Sequence, residues 1–236
     1  MNRYLCITKS FLLLGGLLFL ASCAKNDNVD QLKAPDKAKE IPNSLHIAFE
    51  TPDWKRQIDC SQLDLYPNRV AAYYPERNIW DGPTLIDDVV WVGARSASTQ
   101  NYFMLSYPKT VEALENPDNL RRYPVAEFGT ITGPFQYAME LPLDERLNKS
   151  GQWLASRAGE STSEFTEITE IKRVGTEEPD GRNTIYSYAI YQIKGRYAFK
   201  SLLETFTAEG ALSAAVEADD KPVTGSFHLK VRVRID

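Results

Sequence analysis

From Asn43 onward, apolar and polar residues alternate with a period of two, the pattern of strands that bury one face. Leu45, Ile47 and Phe49 alternate with His46, Ala48 and Glu50. Phe135, Tyr137, Met139 and Leu141 face away from Gln136, Ala138 and Glu140. The clearest case lies at the end of the chain, where Phe227, Leu229, Val231, Val233 and Ile235 oppose His228, Lys230, Arg232 and Arg234. In 102–107 both sets are largely apolar, with Tyr102 and Met104 on one face and Phe103, Leu105 and Tyr107 on the other. Further strands are predicted over 69–74, 87–93, 152–156, 164–174, 184–194 and 196–206, with Gly, Pro, Asn or Asp between them. This spacing predicts an all-β fold, an antiparallel β-sandwich, with a β-barrel as the alternative. Helix is scarce. Residues 109–115 allow two turns before Asn116-Pro117. Residues 208–218 are ambiguous: Ala and Glu favour helix, whereas Gly210 and the alternation of Leu212, Ala214 and Val216 favour strand or loop. Tyr-Pro pairs begin at Tyr66, Tyr74, Tyr107 and Tyr123, and proline, which cannot donate to a ladder, most simply ends strands there.

The start of the chain reads differently. Arg3 and Lys9 precede an apolar run over 11–20, followed by Ala21, Ser22 and Cys23. At about 1.5 Å per residue that run spans roughly half of a bilayer core, so it fits a signal peptide better than a membrane helix. Leu20-Ala21-Ser22-Cys23 resembles the lipobox of bacterial lipoproteins. The resemblance covers residues 1–23 and implies cleavage before Cys23, which then carries a diacylglyceryl thioether and acyl chains. One acyl chain anchors weakly, and two or more hold firmly. Ala24 at the second mature position implies the outer membrane. Residues 23–42, rich in Lys, Asp, Asn and Ala, read as a lipidated N-terminus and flexible tether of roughly 25 Å. The expected organisation is therefore a signal peptide over 1–22, the tether over 23–42 and one β-sandwich-like domain over 43–236.

Composition narrows the function. Removing residues 1–22 takes the net charge from −5 to −7, which argues against nucleic acid as a partner. Cys6 leaves with the signal peptide and Cys23 is lipidated, so Cys60 stays unpaired and the domain holds without a disulfide. Cys60 shares an alternating face with Trp54 and Ile58, which predicts a buried, inert thiol. The only histidines are His46 and His228, on separate predicted strands, and the expectation for both is a solvated strand position. No G-x-S-x-G, P-loop, G-x-G-x-x-G, C-x-x-C or H-E-x-x-H pattern occurs, so no cofactor, metal or catalytic residue is assigned. Asp87-Asp88 and Asp219-Asp220 lack the spacing of a calcium loop, and turn chemistry accounts for both.

Two surfaces remain as candidates for binding. Residues 73–83 form an aromatic loop in which Tyr73, Tyr74, Trp80 and Asp81 combine ring faces with hydrogen-bonding groups, a combination suited to sugar rings. The same loop has a structural account, with Trp80 closing one end of the core and Asp81-Gly82-Pro83 making a turn. The second is the basic set Lys230, Arg232 and Arg234, which suits an anionic glycan or a partner, or is a solvated face paired with Glu164, Glu167 and Glu170. Phe165-Thr-Glu-Ile-Thr-Glu-Ile-Lys172, Ile193-Lys-Gly-Arg-Tyr197 and Val223-Thr-Gly-Ser-Phe-His-Leu-Lys-Val231 loosely resemble segments of small β-rich outer-membrane lipoproteins of Gram-negative bacteria. That resemblance implies no activity. The expectation is a lipid-anchored envelope protein, a non-enzymatic binding or assembly component, attached to the membrane through Cys23 and meeting envelope proteins or glycans. A polysaccharide-binding accessory is the alternative, and a hydrolase using two carboxylates is a third class.

Overall fold

A computed structural model of the protein describes residues 40–72, 86–96, 100–144, 151–159, 162–181, 185–207 and 211–235. Cys23 and the predicted signal peptide fall outside the described residues, as do Tyr73, Tyr74, Trp80 and Asp81. The described residues belong to one compact unit, Gln31–Asp236.

The protein is all-β. In chain order the strands are β1 His46–Glu50, β2 Lys55–Asp59, β3 Arg69–Ala72, β4 Val89–Arg95, β5 Tyr102–Pro108, β6 Arg122–Pro124, β7 Tyr137–Pro142, β8 Gln152–Ser156, β9 Phe165–Glu177, β10 Tyr188–Phe206 and β11 Leu212–Arg234. One short helix, α1 Val111–Leu114, and a 3-10 turn, Pro117–Asn119, separate β5 from β6. Thr110 caps α1 by accepting a bond from the Ala113 N–H at 3.3 Å.

The strands pair in the order β2-β1-β11-β10-β8-β7-β5-β4-β3, all antiparallel except β3 with β4. β10 is the branch point. One of its edges pairs with β11, while the other pairs with β9 over Tyr188 to Ala198 and with β8 over Ser201 to Thr205. The change of partner coincides with a register shift between Phe199 and Ser201. The two ends of the path, β2 and β3, do not pair with each other among the described residues, so the sheet stays open and forms a sandwich rather than a barrel.

The two layers meet face to face in one core. Phe103 of β5, Tyr137 of β7, Tyr197 of β10 and Phe227 of β11 are all fully buried. Tyr137 stacks on Tyr197 at 4.1 Å and on Phe227 at 5.5 Å between centroids, and such pairs contribute about 0.5–1.5 kcal/mol beyond area burial. Polar tips join the layers too: the Tyr107 hydroxyl donates to the Arg232 carbonyl at 2.7 Å, and the Tyr197 hydroxyl to the Ala48 carbonyl at 2.9 Å. The outward face of β4, β5 and β7 carries a smaller cluster of Val89, Trp91, Tyr102, Met104 and Ala138, covered by Ala126, Phe128 and Ile131. This accounts for the two apolar faces of 102–107.

Three local expectations change. The predicted strands 184–194 and 196–206 are one strand, because Gly195 leaves room for a neighbour rather than breaking the ladder. A Cβ there would meet the Glu167 carbonyl oxygen at 2.7 Å and run into the Phe227 ring. Residues 212–218 are strand and continue without a break into the predicted last strand. Asp219-Asp220 therefore lies inside β11 and not in a turn, with Asp219 bound to Lys200 at 3.1 Å and Arg157 at 3.5 Å. Of the described Tyr-Pro pairs, Tyr107-Pro108 and Tyr123-Pro124 end β5 and β6, whereas Tyr66-Pro67 lies in the loop between β2 and β3.

Gly225 marks the tightest approach of β1 to β11. A Cβ at that position would collide with the Ala48 carbonyl and the Tyr197 ring, whereas one at Gly175 would meet nothing within 4 Å. Gly225→Ala is expected to lower stability by about 2 kcal/mol or more in urea unfolding, and Gly175→Ala to stay within about 0.5 kcal/mol.

Candidate functional site

A cleft of about 940 Å³ lies where the C-terminal end of β11 meets the start of β10, the far end of β9, the start of β3 and the entry to α1. Among the described residues its charged lining is basic: Arg69, Lys109, Arg173 and Arg234. Tyr66, Tyr186 and Tyr188 supply its aromatic surface, and Val90, Val111, Val233 and Ile235 its aliphatic surface.

One wall is built by the loop after β2. Asn68 adopts φ +58°, a left-handed conformation that Asn tolerates better than most residues. Its N–H donates to the Trp91 carbonyl at 2.7 Å and its side-chain oxygen accepts from the Trp91 N–H at 3.2 Å, which pins the loop to β4. Tyr66 is then fixed by a charge network centred on the buried Arg232. The Arg232 guanidinium lies over the Tyr66 ring at 4.1 Å and donates to Glu177, to Asp64 at 3.3 Å and to the Leu65 carbonyl at 3.4 Å. The Tyr66 hydroxyl donates to Glu177 at 2.8 Å. Burial, followed by that bond, pushes the Tyr66 hydroxyl up to about 12. Burial also pushes the Glu177 carboxyl up, but the bonds from Arg232 and Tyr66 outweigh it and hold Glu177 below the usual carboxylate range.

The other walls carry the remaining cations. Arg234 lies over the Tyr186 ring at 3.3 Å, and Tyr188 meets Tyr66 edge-on at 5.7 Å. Lys109 is held by the Asp87 carbonyl and by the Asp88 carboxylate at 3.5 Å, so Asp87-Asp88 is the turn that the sequence predicts. Arg69 and Arg173 are exposed. A second cleft of about 430 Å³ shares Arg173 and is lined by Glu115, Leu120 and Tyr191, whose hydroxyl donates to Glu115 at 2.6 Å. Arginine forks and tyrosine faces together suit a ligand with rings and anionic groups.

The basic set of the last strand is thus divided in use. Arg234 lines the cleft, while Arg232 is buried and supports it rather than facing solvent. Glu164, Glu167 and Glu170 do not pair with that set; the β9 carboxylate that reaches it is Glu177, on Arg232. Glu164, Glu167 and Glu170 reach Arg157 at 3.5 Å, Arg122 at 4.0 Å and Lys194 at 3.1 Å instead.

His46 and His228 are not solvated. They face each other across β1 and β11, both fully or almost fully buried. His46 bonds the Ser44 carbonyl at 2.7 Å and Ser226 Oγ at 3.2 Å. Ile41 is buried, Asn43 binds Lys194 at 2.9 Å, and the Pro42 carbonyl lies beside His228 without forming a well-aligned hydrogen bond. Residues 41–44 therefore cover the pair. Burial, then the Lys194 charge, holds the His228 imidazole below its usual range. Among the described residues no group of three or more His, Cys, Asp or Glu side chains has a metal-binding arrangement. Cys60 is buried, and desolvation followed by the Asp59 charge pushes its thiol up to about 12, which disfavours the thiolate.

One carboxyl pair bears on the hydrolase class. The Glu204 charge of β10 acts on Glu140 of β7, but neither residue lines the two clefts described above. Burial, then the Glu204 charge, pushes Glu140 up to about 7, with Arg95 opposing.

In architecture the described chain is an all-β sandwich with a cationic, tyrosine-lined cleft at one end. It matches no protein-family description, no curated protein and no solved structure.

The Glu140 carboxyl gives a pH dependence of defined sign. In the unfolded chain it ionises near the ordinary value of 4.5, and in the fold only near 7. Its contribution is complete below pH 4.5 and is lost as pH rises through 7. Glu140→Gln should abolish that fall, leaving the variant more stable than wild type at pH 8 by on the order of 1–3 kcal/mol, read from urea midpoints at pH 5 and pH 8.

Proposed function

We propose that the protein is a lipid-anchored component of the bacterial envelope that binds an acidic polysaccharide and catalyses nothing. The observation that carries this reading is the cleft lining: among the described residues it has four basic side chains and three tyrosines and no acidic residue. Tyrosine rings stack on the C–H faces of sugars, and arginine binds carboxylates through paired hydrogen bonds. The Arg232–Glu177–Tyr66 network holds one of those rings in place before any ligand arrives, which reduces the ordering cost of binding. At about 940 Å³ the cleft is larger than a single sugar needs. The reading keeps the protein non-enzymatic because the Glu140–Glu204 carboxyls stand apart from the clefts, and the Cys60 thiolate is disfavoured.

The lipobox resemblance at Cys23 supports anchoring, and Ala24 supports the outer membrane. Cys23→Ala should move the protein from the membrane to the soluble envelope fraction and remove the acyl mass. An unchanged distribution with no acyl mass on the wild type would sink the anchor.

For the cleft, polygalacturonate should bind and dextran, a neutral glucan, should not, as read by affinity electrophoresis. Binding should weaken as salt rises. Arg69→Ala and Arg173→Ala should each weaken it roughly tenfold, the scale of one charged hydrogen bond of about 1.5–3 kcal/mol. Equal retention by dextran would overturn the reading, as would wild-type affinity in both variants.

A further inference from the structure

Where the chain enters β1, five residues form one row across five strands. Asp59 of β2, His46 of β1, His228 of β11, Lys194 of β10 and Glu170 of β9 are partners in register, each opposite the next. Neighbouring strands lie about 5 Å apart, so His46, His228 and Lys194 stand side by side. The two histidines are buried, at 0% and 2% exposure. Their cover, residues 41–44, lies outside the strands and makes no backbone–backbone hydrogen bond among the described residues. Ile41 is buried, and two bonds tie this strap to the row itself. The Ser44 carbonyl accepts from His46 Nδ1 at 2.7 Å, and the Asn43 side-chain oxygen accepts from Lys194 at 2.9 Å.

We infer that residues 41–44 are a pH-operated latch, which acid releases from the β1–β11 face by protonating His228. The two rings differ in what surrounds them. His46 has partners for both nitrogens, Ser44 on Nδ1 and Ser226 Oγ on Nε2 at 3.2 Å. Neither nitrogen of His228 has a hydrogen-bond partner. A proton there adds an N–H without an acceptor, and a full charge beside Lys194 and His46, in a space closed to water. Burial, then the Lys194 charge, already holds the ring below the ordinary 6.5. With the strap lifted, water solvates the ring and the ordinary value returns. The closed form therefore binds fewer protons than the open one, so its advantage is present above pH 6.5 and is lost as pH falls below it. The other charges nearby do not cancel this. Glu170 acts in the opposite sense but is bound to Lys194 at 3.1 Å. Asp59, at the far end of the row, is exposed and accepts from the Ser61 N–H at 2.8 Å. Lys230 and Arg196, one pair away on the same face, add positive charge. The strap carries no charge, and Glu40 beside it is exposed. The release rests on neither the cleft nor the anchor. On a chain held at Cys23 it adds residues 41–44, up to about 14 Å of extended chain, to the tether.

The test is nuclear magnetic resonance of the isotope-labelled full-length protein in mild detergent, between pH 7.5 and pH 5. The chain has only two histidines, so each ring can be followed by itself. Backbone order parameters of Ile41, Asn43 and Ser44 should fall from about 0.85 at pH 7.5 to below about 0.6 at pH 5. Those of β10 and β11 should stay at the higher value. The His228 ring signal should move with the same midpoint as the strap amides, below pH 6.5. His228→Gln, which cannot take up the proton, should keep the strap ordered at pH 5. If that variant does not fold, the wild-type titration decides: a shared midpoint supports the latch, and separate midpoints overturn it. The inference also fails if the strap stays ordered at pH 5, if it is loose at pH 7.5, if the whole sheet loosens with it, or if His228→Gln opens as wild type does.

Discussion

The ladder between β10 and β11 assigns the other strands their places. β11 carries β1 and, through it, β2; β10 carries β9 with β6 on one stretch and β8, β7, β5, β4 and β3 on the next. Because both arms grow from the same edge of β10, one arm must curl across the other, and the aromatic rings fill the space between them. Tyr137 touches both Tyr197 and Phe227, so the hydrophobic contact and the fork are two descriptions of one constraint. Gly195 and Gly225 sit on this ladder where a side chain of any size would push a neighbouring strand away.

The buried end of the ladder also shapes the cleft. Arg232 emerges from β11 into a space that excludes water, and a buried charge must be paired and hydrogen-bonded to be tolerated. Glu177 from β9 and Asp64 from the loop after β2 meet that demand. In doing so they draw three distant stretches of chain together and leave the Tyr66 ring lying on the guanidinium. The polar interior is thus a support, and one wall of the cleft is what it holds up.

Much of the fold is legible in the sequence, because one-sided burial prints its period directly. Residues 152–156 are bounded as predicted, and the alternation over 227–233 gives the buried face of β11 correctly, whereas Ile235 lies past the strand and is exposed. What alternation does not show is whether the second face is covered. His46 and His228 sit on the polar set of their strands and are nevertheless buried, because residues 41–44 fold over them. Gly195 reads as a break and is a close approach. The cleft was the least legible part, since its residues come from six stretches that only the topology gathers. Tyr186 and Tyr188, two residues apart, were the one local signal available. Arg69, Lys109 and Arg173 gave none. The aromatic loop 73–83 carried a stronger signal, and it lies outside the described residues.

The length of β10 has a further consequence. Its 19 residues correspond to roughly 60 Å of extended chain, with the cleft at one end and the hairpin tip at the other. The chain enters the ladder at His46, opposite His228, which is aligned with Lys194, so the point of entry lies about a third of the way along from the cleft. The hairpin is therefore a lever arm with unequal ends.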